Sequence, residues 1–285
     1  MVRMIAVFAV FCSVMLMQAT TAVAASAGCT RSELQSIVDQ YINALKQGKP
    51  KIMPLASHAR YVENKTEIAL GQGIWQTALK IDFNRSIFDV DACETFTEAI
   101  ITDKNHPYVI GTRLRVIAGK VEEIVSLVTD KGDWLFNADS YLSYSTREKW
   151  DIIPAERRSD RQTLINAAAA YFDIFSNKDS NVPWGTPCAR LEGGIYTTKD
   201  FNDPKASCNV GVPEDGNIKL TNRHYVVDRD MGAVVGFVDF DNEKVPDSHL
   251  FRVENGKIRY IHTLTVCLIE NCGFPALDPK LIPKQ

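Results

Sequence analysis

Apolar side chains return at helical spacing twice along the chain. Leu34, Ile37, Val38, Tyr41 and Leu45 share one helical face, as do Leu164, Ala168, Tyr171, Phe172 and Phe175, and both runs end in polar residues. Each predicted helix is followed by segments of shorter period. Strands are predicted over 86–92, 95–102, 109–116 and 121–129, and again over 223–228, 233–239, 249–253 and 258–266. A strand is also expected near Tyr61 and near Leu191. Between the two sets, residues 149–160 are rich in charge and contain Pro154, as a linker should be.

The two sets align with one another. An offset of 130 places Leu34 and Tyr41 on Leu164 and Tyr171, and an offset of 137 places 114–121 on 251–258. The added residues fall between these anchors, most simply in the region from Cys188 to Cys208. A period this long is a domain duplication rather than a solenoid. The expected organisation is a leader over 1–25, a first domain over 28–148, the linker 149–160 and a second domain over 161–285. Helix first and hairpin-linked strands later argue for α+β, a curved antiparallel sheet wrapped over helices.

This order of elements resembles the superfamily of cone-shaped α+β barrels that holds ketosteroid isomerases, scytalone dehydratase, SnoaL polyketide cyclases and nuclear transport factor two. More narrowly, Leu250 to Thr265, with Tyr225-Val226-Val227-Asp228 upstream, is similar to mostly fungal secreted proteins with tandem SnoaL-like domains. The resemblance implies two tandem cone-shaped barrels and chemistry of the dehydratase, isomerase or cyclase kind. Many single-domain relatives pair through their sheets, so it also implies a monomer with an internal pseudo-dimer. The Tyr and two Asp of the ketosteroid isomerases do not occur at recognisable positions.

Composition narrows the partners. With 45% hydrophobic and 24% charged residues the chain is ordinarily globular, and 32 Lys plus Arg against 35 Asp plus Glu leave no basic surplus for nucleic acid. Arg3, the apolar run from Met4 to Met17 and the small residues at 22–25 read as a secretory signal peptide, too short to span a bilayer. Secretion to the extracellular space follows, with no membrane attachment after cleavage. Six cysteines then remain, and an even count in an exported chain favours disulfides. They allow 15 pairings; short loops suggest Cys267 with Cys272 and Cys188 with Cys208, leaving Cys29 for Cys93. Asn64-Lys65-Thr66 and Asn84-Arg85-Ser86 are glycosylation sequons.

Candidate chemistry gathers in the second copy. If Asn255-Gly256 forms a two-residue turn, Val253 faces Ile258, Phe251 faces Tyr260 and His249 faces His262, all on one apolar face with Asp247. The same reasoning around Ala118-Gly119 sets Thr112 opposite Val125 and Arg115 opposite Glu122, so the first copy lacks the histidines. Two imidazoles in a dry pocket can hold one charged and one neutral ring, as proton abstraction and return require. His262 is the first candidate base, with His249 beside it. Asp247 or Glu192 would orient it, while Tyr225 and Tyr260 would donate to a developing oxyanion. The expected activity is cofactor-independent acid–base lyase or isomerase chemistry on a small, partly apolar molecule in the second domain. Two alternatives stand: a non-catalytic binder of a small molecule or partner, and a metal enzyme built on His249 and His262 with a carboxylate from Asp247, Asp239 or Glu192.

Overall fold

The computed structural model describes residues 29–198, 200, 203–212, 216–240 and 245–273. The expected signal peptide lies outside them. The chain begins with α1 (Arg31–Gln47), whose start is set by Thr30: its hydroxyl accepts from Glu33 N while the Glu33 carboxylate takes the Thr30 N–H. Gly48, at φ 62°, closes the helix in the left-handed conformation that favours glycine. Strands β1 (Leu55–Glu63), β2 (Thr66–Glu67), β3 (Phe83–Asp89), β4 (Glu94–Ile101), β5 (Tyr108–Ile117) and β6 (Lys120–Thr129) follow. Next come a short helix α2 (Ala138–Ser145) and then α3 (Arg161–Asp173), capped by Asp160. The second series is β7 (Trp184–Glu192), β8 (Ile195–Tyr196), β9 (Thr221–Asp228), β10 (Ala233–Phe240), β11 (Val245–Glu254) and β12 (Lys257–Thr265).

The strands make two six-stranded sheets of the same topology, ordered β2-β1-β6-β5-β4-β3 and β8-β7-β12-β11-β10-β9. Both are open sheets rather than closed barrels. Nor is either wholly antiparallel: β1 runs parallel to β6, and β7 to β12. The helix that precedes each series of strands, α1 or α3, covers one face of its sheet. The apolar stripe of α1 packs there with Tyr61, Leu114, Val116 and Ile124, and that of α3 with Val234, Phe251, Val253 and Ile261. These are the inner faces. Trp75 belongs to the first, buried against Tyr41 and Tyr61, and Trp184 to the second, edge-on to Tyr171.

The outer faces pack on each other. Ile87 and Phe96 of the first sheet meet Val226, Val235 and Leu250 of the second, and Ile100 and Val109 meet Tyr260 and Leu264. Consequently β4 is buried at every position. α2, which the sequence pattern does not single out, lies at this seam with Tyr141 buried. Disulfides join Cys29 to Cys93, Cys188 to Cys208 and Cys267 to Cys272.

Two buried aspartates tie the seam reciprocally. At the end of β3, Asp89 accepts from Val227 N (2.9 Å) in β9 and from Arg161 (2.6 Å) at the start of α3. At the end of β9, Asp228 accepts from Phe88 N (3.0 Å) in β3 and from Arg31 (2.9 Å) at the start of α1. Either aspartate removed leaves backbone donors orphaned in a dry seam. Asp89→Ala and Asp228→Ala should therefore each destabilise the protein by about 2–4 kcal/mol in urea unfolding, and Arg31→Ala, on a part-exposed side chain, by only about 1. Equal losses for all three would contradict this ranking.

The sequons differ sharply in environment. The Asn64 amide donates to Val128 O (3.2 Å) and accepts from Val128 N (2.8 Å), whereas Asn84 is exposed. Expressed through a eukaryotic secretory route, the protein should carry glycan at Asn84 and none at Asn64, read by mass spectrometry after peptide N-glycosidase treatment in heavy-oxygen water, which turns a glycosylated asparagine into labelled aspartate.

Candidate functional site

The hairpin turn between β11 and β12 forms as expected, with Asn255 and Gly256 both at positive φ (51° and 72°). One step beyond it the register slips. Val253 still pairs with Ile258, but Arg252 pairs with Tyr260, so Arg259 is an extra residue in β12. His249 then lies opposite Thr263, and His262 opposite Leu250. The two imidazoles therefore point to opposite faces of the sheet, which corrects the expected pair. The first hairpin carries the same slip at Glu122: Arg115 pairs with Glu123 and Thr112 with Ser126, not with Glu122 and Val125.

His249 faces inward, beneath α3. A row of cross-strand neighbours runs over five strands there: Glu192, Thr263, His249, Gly236 and Tyr225. Rings of Tyr171, Phe172 and Phe251 surround the imidazole at centroid distances of 5.2, 5.2 and 6.0 Å. Asp247, two residues along β11, brings Oδ1 to 3.6 Å from His249 Nδ1, too far for a hydrogen bond. Arg190 enters from β7. Its Nη1 donates to the Tyr171 hydroxyl (3.2 Å), and its Nη2 donates to Val210 O (2.7 Å) and pairs with Glu192 (2.9 Å). Trp134, from the segment after β6, donates to the other Glu192 oxygen (2.7 Å).

Five buried atoms of this face have no hydrogen-bond partner among the described residues: Arg190 Nε, Asp247 Oδ1, His249 Nδ1, Thr263 Oγ1 and the Tyr225 hydroxyl. The matching row of the first sheet is Glu63, Ser126, Thr112, Thr97 and Ser86. There the hydroxyls satisfy one another: Thr112 with Ser126 (2.8 Å), Ser86 with Thr97 (2.9 Å), and Tyr41 donating to Thr112 (2.7 Å). Glu63 is held by Tyr61 and by Ile74 N. Burial also shapes protonation in the second row. It lifts the Asp247 carboxyl well above the usual carboxylate range, helped by the negative charge of Glu192. It lowers His249 to about 3, with Arg190 adding to the effect, so the ring is neutral at ordinary pH.

His262 occupies a different environment, on the outer face in the seam between sheets. Its Nδ1 donates to Glu98 (3.0 Å) of β4 and its Nε2 to Glu148 (2.7 Å), which follows α2. Tyr141 donates to Glu98, and Tyr196 and Trp150 donate to Glu148, each at 2.8 Å. Arg85 adds a second cation, 3.3 Å from Glu98. Burial alone would push the imidazole down, but Glu148 and Glu98 outweigh it and raise it to about 9. Tyr260 is on this face too, stacked on Trp150 at 5.8 Å.

Of the six sequence-predicted residues, the structure thus gathers His249, Asp247, Glu192 and Tyr225 on the inner face and sends His262 and Tyr260 to the seam. Arg252 meets Glu254 at 2.9 Å. Arg190, Tyr171 and Thr263 on the inner face, and Glu98 and Glu148 beside His262, were not singled out by sequence. Among the described residues, no group of three or more His, Cys, Asp and Glu is arranged to hold a metal, and no helix is long and apolar enough to cross a membrane.

A family model for a domain of unknown function, DUF8021, matches residues 157–265, the span from just before α3 to the end of β12. No curated protein matches the chain significantly. Similar solved structures include a Kribbella flavida protein provisionally named a ketosteroid isomerase (14% identity, covering 35% of this chain and 79% of that one, TM-score 0.27). An NTF-2-like protein of unknown function from Burkholderia xenovorans is 12% identical over 41% of this chain and 96% of its own, with a TM-score of 0.30. AusH from Aspergillus nidulans is 11% identical over 36% and 88%, with a TM-score of 0.28. Likeness at this level says nothing about activity.

The seam histidine makes stability depend on pH. Because its folded pKa is raised from 6.5 to about 9, its stabilising charge is fully present below about pH 6.5 and is lost as pH rises through 9. Thermal unfolding should show Tm falling across that window, and His262→Gln should remove the dependence while lowering stability at pH 6 by about 3–5 kcal/mol. An unchanged slope in the variant would exclude His262 as its source.

Proposed function

We propose that the chain is a secreted, cofactor-independent lyase or isomerase whose site is the inner face of the second sheet. One observation carries the reading: five polar atoms stand buried and unpartnered on that face, where the equivalent row of the first sheet closes on itself and only Trp75 Nε1 and Thr95 Oγ1, outside that row, are left over. An orphaned buried polar group costs about 1–3 kcal/mol, and a bound molecule that meets these atoms returns that cost. The paired cysteines support an oxidising destination.

In this reading His249 and Asp247 work as a dyad. Neutral His249, protonated on Nε2, takes a proton from substrate carbon through Nδ1. The un-ionised Asp247 carboxyl gives its proton to a departing hydroxyl, and water leaves as the carbon–carbon double bond forms. Imidazolium and carboxylate then face each other and the proton returns to Asp247, restoring the start. In an isomerisation the same proton movements act on two positions of one substrate. Arg190 Nε and Thr263 Oγ1 hold the oxygen where charge develops, and Glu192 fixes Arg190. His262 and Tyr260 serve the seam instead.

Untargeted mass spectrometry of metabolite extracts incubated with the protein tests this. Wild type should convert at least one compound to a product of equal mass or one differing by a water, and Asp247→Asn or His249→Gln should slow conversion by about a hundredfold or more. The rate should be level from about pH 3, where His249 becomes neutral, and fall at the raised pKa of Asp247. Failure of wild type to change any compound, or full activity in both variants, would overturn the proposal.

A further inference from the structure

The carboxylate at the edge of the second inner row is held from outside its own sheet. Glu192 ends β7 with one oxygen on Arg190 Nη2 (2.9 Å) and the other on the indole N–H of Trp134 (2.7 Å), a residue of the chain between β6 and α2. The first sheet meets the same need locally. There Glu63, at the matching end of β1, takes its donors from Tyr61, two residues back, and from Ile74 N. A carboxylate that fixes a buried guanidinium thus depends, in the second half, on a side chain delivered by the first.

Backbone and side-chain bonds on both sides fix the segment that carries Trp134. Asp133 accepts from Cys267 N (2.5 Å), Gly132 O accepts from Asn271 N (2.8 Å), and Asn137 N donates to Gly193 O (3.2 Å). The turn after β7 is bare where the segment crosses it. A Cβ on Gly193 would lie 2.2 Å from Trp134 O, and one on Gly194 would lie 2.5 Å from the Asn137 Cβ, whereas the first sheet has Asn64 and Lys65 at this turn. Charge links the clamp to the row. Burial is the main reason that Asp247 keeps its proton, and the Glu192 charge adds to it; Arg190, the partner of Glu192, helps keep His249 neutral. The charged and titratable groups around Asp247 are Glu192 and Arg190 from β7, His249 from its own strand and Tyr171 from α3.

We propose that Trp134 is a positioning residue of this site: its indole N–H holds Glu192 turned in toward Arg190, and the row that contains His249 and Asp247 is complete only with that contribution from the first half. Without the indole, Glu192, whose side chain is 24% exposed, turns outward to water, and its negative charge leaves the neighbourhood of Asp247. The two halves then divide the work. The second inner face keeps the reactive groups, and the first half supplies the clamp that orients them. The inference rests on the reading of this face as the site, but its test follows the Asp247 proton rather than turnover, so the two fail separately.

Carbon-13 NMR of the full chain labelled at the aspartate side-chain carboxyl, with Asp247 assigned by its loss in Asp247→Asn, follows this titration in wild type, Trp134→Phe, Gly194→Ala and Glu192→Gln. Trp134→Phe keeps an aromatic ring and deletes the N–H. Gly194→Ala pushes the segment away with its Cβ and alters no side chain of the row. In both, Asp247 should hold its proton about tenfold less tightly than in wild type, and in Glu192→Gln, where the charge is gone, less tightly still. Circular dichroism and Tm verify folding; should Trp134→Phe not fold, Gly194→Ala decides. A lowered Tm with the Asp247 titration unmoved would make Trp134 a structural contact only and overturn the proposal. An Asp247 that keeps its proton across the stable pH range in every variant would overturn it too. If Asp247 responds as stated while wild type converts no compound in the extracts, the catalytic reading fails and the positioning of Glu192 stands.

Discussion

An imidazolium buried out of reach of water is tolerable only while every part of its charge is matched, and the contact between the two sheets is arranged around that requirement. Moving two ions from water into a protein interior costs several kcal/mol each. At the seam, Arg85 and His262 face Glu98 and Glu148, two cations against two anions, with Tyr141, Tyr196 and Trp150 supplying the remaining donors. This explains why α2 lies where it does. Tyr141 is on it and Glu148 just beyond it, so the chain between the sheets is threaded through the seam to deliver a carboxylate and a phenol rather than passing around it. The apolar contacts on either side, Phe96 with Phe237 and Leu264 against Gly111, keep water out and so strengthen the same charges.

The two inner faces, built on one topology, illustrate opposite solutions to buried polarity. In the first, short hydroxyls at neighbouring positions on adjacent strands reach each other directly, and the tyrosine of α1 closes the chain. In the second, the equivalents of Thr112 and Ser126 are His249 and Thr263, and the equivalent of Thr97 is Gly236. Groups of unequal length and a missing side chain leave no partner at the right distance. The helix tyrosine, Tyr171, turns instead to Arg190. Stability alone would favour the first solution, so the second is the one that calls for a function.

Much of the fold is legible in the sequence. Helical spacing locates α1 and α3, the short-period runs locate β3 to β6 and β9 to β12 within a few residues, and the repeat reveals that the element order recurs. What escapes has definite causes. A one-residue bulge has no signature of its own, and the usual safeguard, apolar residues alternating with polar, fails in β11 because both of its faces are buried. Parity around His249 and His262 is then invisible, and a single extra residue, Arg259, separates them. Glu98 and Glu148 read as ordinary surface charges, since only the packing of one sheet on the other buries them. Arg190 sits in a stretch whose neighbours, Cys188 and Pro187, draw attention to a disulfide loop rather than to an inward guanidinium. Asp247 and Glu192 were legible as carboxylates near the site, though not as members of a row with Thr263.

The reciprocal grip of Asp89 and Asp228 bears on how the molecule comes apart. Arg31 begins α1 of the first half but is anchored in the second; Arg161 begins α3 of the second but is anchored in the first. Once the halves part, the start of α1 is still held to the first half by the Cys29–Cys93 disulfide, but Arg31 and Arg161 lose their carboxylates, and each half loses as well the strand-end carboxylate that received its backbone donor. Separation of the halves orphans these groups on both sides at once, so that two sheets of the same topology behave as a single cooperative unit instead of two beads on a string.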